Sequence, residues 1–120
     1  MPHQDPSNQI EKYQSFAQGE IIFREGEPGD CLYIVAEGQA DIVADSQVLE
    51  TVEVGGILGE LALIDDRPRS ARAVARTDCV LTLITRQHFL NLVQRTPLFA
   101  LQVMRVMAER LRRANTRSRA

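Results

Sequence analysis

The chain predicts a mainly β domain, a sandwich or small barrel, with helices after it. Short β-type runs recur at roughly 10-residue spacing, with glycine-containing turns between them. After Thr85 the apolar pattern changes from strand-like to helical. The chain has 120 residues, 44% hydrophobic and 25% charged, which is the size and balance of one globular domain able to bury its own core.

The elements follow in order. Residues 1–10, with Pro2 and Pro6 among polar neighbours, read as a flexible tail, and the folded domain is expected over 11–120. A strand at 20–23 leads into the turn 25–30, which holds Gly26, Pro28 and Gly29. Residues 31–35 form the next strand, Glu37-Gly38 turns the chain, and 40–43 alternates apolar and polar. Strands at 47–54 and 80–84 bring the β region to about residue 85.

Residues 86–95 carry Phe89, Leu90, Leu92 and Val93 at helical spacing. Thr96-Pro97 then reads as a helix start, threonine as cap and proline at the first position, for a helix over 97–114. On it, Leu101, Met104, Ala108, Leu111 and Asn115 follow a 3-4-3-4 spacing that suits a seam with a second copy. Phe99, Val103 and Val106 form another stripe, placed to pack on the β region. The alternative is one amphipathic helix lying on its own domain.

Charge is uneven. Residues 1–78 hold 15 acids against 6 bases, and residues 79–120 hold 8 bases against Glu109. A basic end suits nucleic acid in principle, yet no aromatic interleaving accompanies it, so a solvated helix end is the preferred reading. The start shows no apolar signal segment and no run has the length of a membrane span, so a cytoplasmic protein without a membrane partner is expected. Cys31 and Cys79 lack metal-ligand spacing and read as buried, reduced thiols. With only His3 and His88, no metal site or catalytic constellation can be assembled, so neither an enzyme nor a cofactor is expected.

The stretch from Gly59 to Val74, GELALIDDRPRSARAV, carries the chemistry. Gly59 permits close backbone approach. Glu60 has no cation at helical spacing, which leaves its carboxylate open to a vicinal diol. A short helix would offer the N–H groups of Leu61, Ala62 and Leu63, and Arg69 presents a fork for phosphate oxygens beside the Ser70 hydroxyl. Ala71, Ala73 and Ala75 are small enough to leave room for a flat ring. A salt bridge between Glu60 and Arg69 is the structural alternative.

Gly-Glu-Leu-Ala-Leu followed by Pro-Arg-Ser-Ala resembles the phosphate-binding cassette of the cyclic-nucleotide-binding domains. The upstream run from Gly19 to Gly38 resembles the strand-turn-strand opening of the same family, and the likeness spans about residues 16–113. The resemblance implies an eight-stranded antiparallel β-roll, jelly-roll-like, with a short cassette helix and C-terminal α-helices. It implies that Glu60, helped by Gly59, accepts from the ribose 2′-hydroxyl. Arg69 would pair with the cyclic phosphate, joined by Ser70 and by N–H groups near Ala62 and Leu63. Gly26, Gly29 and Gly38 would be turn glycines, and residues 48–54 with Leu61 would help wall the base.

Many members carry a hydroxyl residue where this chain has Arg72, and guanidinium has only donors. That favours cAMP over cGMP as the ligand. In bacterial members the long helix dimerises and its polar residues meet adenine, which places Ala114 and Asn115 at the base. Arg110 is a further candidate there, able instead to reach Glu60 or the phosphate. The expected function is a cyclic-nucleotide sensor whose C-terminal helix is repositioned for a protein effector or a second copy. A roll that only dimerises or docks a partner is one alternative. The other is the truncated sensor of a cAMP-responsive transcription factor; the chain stops at Ala120 before any helix-turn-helix, so a stand-alone domain is expected.

Overall fold

The computed structural model describes residues 12–65 and 67–119, so the expected tail at 1–10 lies outside the described residues. Its elements are β1 (Lys12–Phe16), β2 (Ile21–Phe23), β3 (Cys31–Glu37), β4 (Ala40–Ala44), β5 (Gln47–Val52), β6 (Ile57–Leu58), α1 (Glu60–Ile64), β7 (Arg72–Ala75), β8 (Cys79–Thr85), α2 (Arg86–Arg95) and α3 (Pro97–Arg119). The strands form two antiparallel four-stranded sheets, β1-β8-β3-β6 and β2-β7-β4-β5, the β-roll that the sequence implied.

Alternation builds two cores from one strand. Along β3, Cys31, Tyr33 and Val35 face the other sheet, where they meet Phe23, Ala40, Val52, Ala73 and Ala75, with Leu81 beside them on β8. Leu32, between them, faces outward and packs with Ile57, Leu63, Ile84 and Val103 under α2 and α3. The stripe of Phe99, Val103 and Val106 does pack back on the roll, with Val103 only 1% exposed. Leu98, Leu101, Met104 and Leu111 stay exposed.

Some expectations need correction. Ala73 and Ala75 are fully buried between the sheets and leave no room for a ring. α3 runs to Arg119 rather than ending near 114, because no glycine or proline interrupts the run. β1 and the two-residue β6 lack the alternation that marks the other strands, and both are held by pairing, β1 to β8 and β6 to β3. The β4–β5 hairpin turns at Asp45 and Ser46, both at positive φ (52° and 62°), with Ala44 paired to Gln47. That is the turn geometry matching the right-handed twist of two strands. Thr85 caps α2, its Oγ1 accepting from His88 N at 3.2 Å.

Candidate functional site

The site is built on the link between α1 and β7. Gly59 precedes α1 at φ 75°, a left-handed conformation that favours glycine, and any side chain there would run into the Arg69 guanidinium. The turn after β2 clasps the Arg69 backbone from both sides. Gly26 N donates to the Arg69 carbonyl (2.9 Å), and Arg69 N donates to the Glu27 carbonyl (2.8 Å).

The Arg69 side chain is only 6% exposed. Its Nη1 donates to the Gly59 carbonyl (2.9 Å), its Nη2 to Cys31 Sγ (3.7 Å), and its Cζ sits 4.2 Å from the Phe23 ring centroid. On the other side Gly29 leaves the space that a Cβ would fill, so this glycine makes room rather than a turn. Nε is buried and has no hydrogen-bond partner among the described residues. A buried cationic N–H without an acceptor is costly, and an anion would complete it. Beneath it Tyr33 stacks with Phe23 (6.2 Å, 19°). Burial first, then the neighbouring Cys31, push the Tyr33 phenol up to about 12, so it stays neutral.

Glu60, 4% exposed, does not pair with Arg69 and is not free. Its Oε1 accepts from Arg110 Nη1 at 2.6 Å. The same guanidinium donates from Nε to Glu50 Oε1 (2.9 Å), and from Nη2 to Glu50 Oε2 (3.2 Å) and the Ile57 carbonyl (2.6 Å). Arg113 Nη1 adds a third contact to Glu50, at 2.9 Å. Burial alone would raise the Glu50 carboxyl. The hydrogen bond and charge of Arg110, and then Arg113, outweigh it and hold the group below its ordinary value.

These groups surround a cavity of about 690 Å³ between the β2-β7-β4-β5 sheet, the cassette and α3. Gly59, Glu60, Leu61, Ala62, Arg69, Ser70 and Ala71 all line it, as does Arg110. Three expected site residues do not. Leu63 is turned by the helical period into the core under α3. Arg72 opens β7 on the exposed side, because alternation sends Ala71 and Ala73 inward and Arg72 out. Asn115 is exposed, while Ala114, one helical step earlier, lines the cavity. The expected wall at 48–54 narrows to Leu49 and Glu50, since Val48 and Val54 are exposed and Val52 enters the inter-sheet core.

Gly29 and Cys31 read from the sequence as structural residues, Phe23 as a strand residue, and Glu50 only as part of the expected wall at 48–54, without its role toward α3. Gly29 sits in a turn-rich run that explained it without a ligand. Glu50 is one acid in a strand, and its partners lie on a helix far along the chain. Among the described residues no group of His, Cys, Asp and Glu is placed to hold a metal ion, and no helix is long and apolar enough to cross a membrane.

A family model for the cyclic nucleotide-binding domain matches residues 13–96. The chain belongs to the cyclic nucleotide-binding domain family. A cyclic AMP receptor protein of Thermus thermophilus is 35% identical over 105 residues, covering 83% of this chain and 49% of its own length. The cGMP-dependent protein kinase egl-4 of Caenorhabditis elegans is 36% identical over 77 residues, covering 64% of this chain and 10% of its own. A solved structure of cAMP-bound PfPKA-R superposes with a TM-score of 0.81 at 30% identity, covering 96% of this chain and 42% of that one. The chain thus spans about half the length, or less, of these relatives. The match and the fold agree on a cyclic nucleotide-binding domain.

Proposed function

We propose that the chain is a sensor for a cyclic nucleotide, cAMP in particular, and catalyses no reaction. The observation that carries this reading is Arg69, buried in the cavity wall with an N–H that has no acceptor among the described residues. In this assignment the cyclic phosphate meets Arg69 and Ser70, with N–H groups of Ala62 and Leu63 beside it. The ribose 2′-hydroxyl goes to Glu60 at Gly59, and the base lies against Leu49 and the α3 side chains Met104, Leu111 and Ala114. That wall is apolar and would leave more polar edge groups unpaired on guanine, with its ring N–H, amino group and carbonyl, than on adenine, which supports adenine. The names of relatives include receptors and kinases of both nucleotides, so base choice rests on the wall itself.

Ligand capture is proposed to act through α3. Arg110 already joins α3 to Glu60, so a ribose sharing that carboxylate shifts the helix without detaching it from the roll. A second copy, docking along exposed Leu101, Met104 and Leu111, or another protein effector, would read the change. Isothermal titration with cAMP and with cGMP tests the reading. Heat with cAMP at micromolar to low millimolar ligand, and a weaker response to cGMP, are expected. No heat with either nucleotide would leave a roll that only dimerises or docks a partner.

A further inference from the structure

We propose that Glu50 on β5 is the positioning residue of α3, anchoring Arg110 over the cavity so that Glu60 can be shared with a ligand without releasing the helix. A guanidinium has five N–H donors. In Arg110, two bonds go to the Glu50 oxygens, one to the Ile57 carbonyl and one to Glu60. Losing the Glu60 bond to a competing hydroxyl leaves three of the four in place. Losing Glu50 removes two of them, and the Arg113 bond as well.

The packing of α3 explains why this tether matters. Its first half is pinned by Val103, with Phe99, Val106 and Met107 half-buried around it. Past Met107 no side chain among the described residues is buried, and Leu111 is 63% exposed. The polar ties of that half to the roll are Arg110 and Arg113, and both reach Glu50. Glu50 is itself on the cavity wall, so the carboxylate that holds the helix stands beside the ligand space. The bidentate geometry to Arg110 suits a fixed orientation, which a single-point contact would not give.

The effect on nucleotide affinity rests on the cAMP reading; the effect on the helix does not. Amide hydrogen exchange on the full chain, free of nucleotide, separates the two. Glu50→Gln should speed exchange across residues 108–114 about tenfold, Glu60→Gln should do so less, and Glu50→Asp should restore most of the protection. Arg113→Ala, which removes one bond and keeps the carboxylate, should fall between Glu50→Gln and the parent chain. Circular dichroism of the same samples reports whether each variant is folded. Unchanged exchange in a folded Glu50→Gln, or a larger effect from Glu60→Gln, overturns the inference whatever the ligand. With cAMP added, a parent chain that binds should lose about tenfold in affinity on Glu50→Gln. Equal affinity overturns the coupling of helix to ligand, whereas a parent chain that binds nothing overturns the cAMP reading and leaves the ligand-free exchange to decide Glu50.

Discussion

Arg69 donates to a carbonyl and a thiol, lies over an aromatic ring, and meets no carboxylate among the described residues. Its position is therefore fixed while its charge stays available, which is the state an anion subsite needs. Arg69→Ala should weaken cAMP binding by about 2–4 kcal/mol, roughly 30- to 1,000-fold, because it strips a buried anion of its charged partner. Titration calorimetry on the two proteins checks this, and equal affinities would remove Arg69 from the phosphate role. Gly29→Ala makes a finer test. Its added methyl meets the Arg69 guanidinium and, more loosely, the Ala62 methyl, while Gly29 does not sit at positive φ. The fold should accept the substitution while Arg69 is displaced, so urea stability should change little and cAMP affinity should fall. A variant that binds as the parent does would show that Gly29 is not the spacer for Arg69.

At the scale of elements, α3 depends on charge where it lacks apolar anchoring. Arg110 and Arg113 hold the Glu50 carboxyl below its ordinary value, which is near about 4.3 for glutamate. A carboxyl whose value is lowered in the folded state adds stability that is full above the unfolded value and is lost as pH falls through the folded one. The parent chain should therefore exceed Glu50→Gln in urea stability above about pH 4.5, with the gap closing as pH drops further. Denaturation of both proteins across that range measures it, and a gap independent of pH would place the difference in packing instead. The same elements show what a sequence can and cannot reveal. Glu60 and Arg69 stand in one short motif, so their types and spacing were legible locally. Arg110 was legible as a candidate because the helix carrying it was. Glu50 and Cys31 were not, because their contacts join residues 60 and 38 positions apart, and only strand pairing and the fall of α3 across the roll bring them together. Arg72 and Ala73 misled for a related reason: strand alternation, invisible in a four-residue β7, sends Arg72 to the exposed side and Ala73 into the inter-sheet core, so neither lines the cavity.

Over the whole molecule, the split between an acidic body and a basic end has a structural use. Arg110 and Arg113, from the basic segment, lie on Glu50 and Glu60 from the acidic one, so part of the imbalance is consumed inside the fold. The cavity exists only while the sheet, the cassette and α3 are assembled around it, and an unfolded chain offers nothing equivalent. A ligand held there binds the native state alone and must stabilise it by mass action. At one hundred times its dissociation constant, cAMP should add about 2.7 kcal/mol. For a domain of this size that corresponds to a rise in melting temperature of roughly 8–16 °C, read by scanning calorimetry. The same concentration of cGMP should give a smaller rise, because the apolar wall of Leu49, Met104, Leu111 and Ala114 leaves more of guanine's polar edge unpaired than of adenine's. Arg69→Ala should give about a third of that rise or less at that cAMP concentration, since a site roughly 30- to 1,000-fold weaker leaves the ligand at only about 3 to 0.1 times its dissociation constant. A rise that survives this substitution undiminished would mean that the nucleotide stabilises the fold from somewhere other than the cavity, because the charge that fixes the phosphate there would be gone.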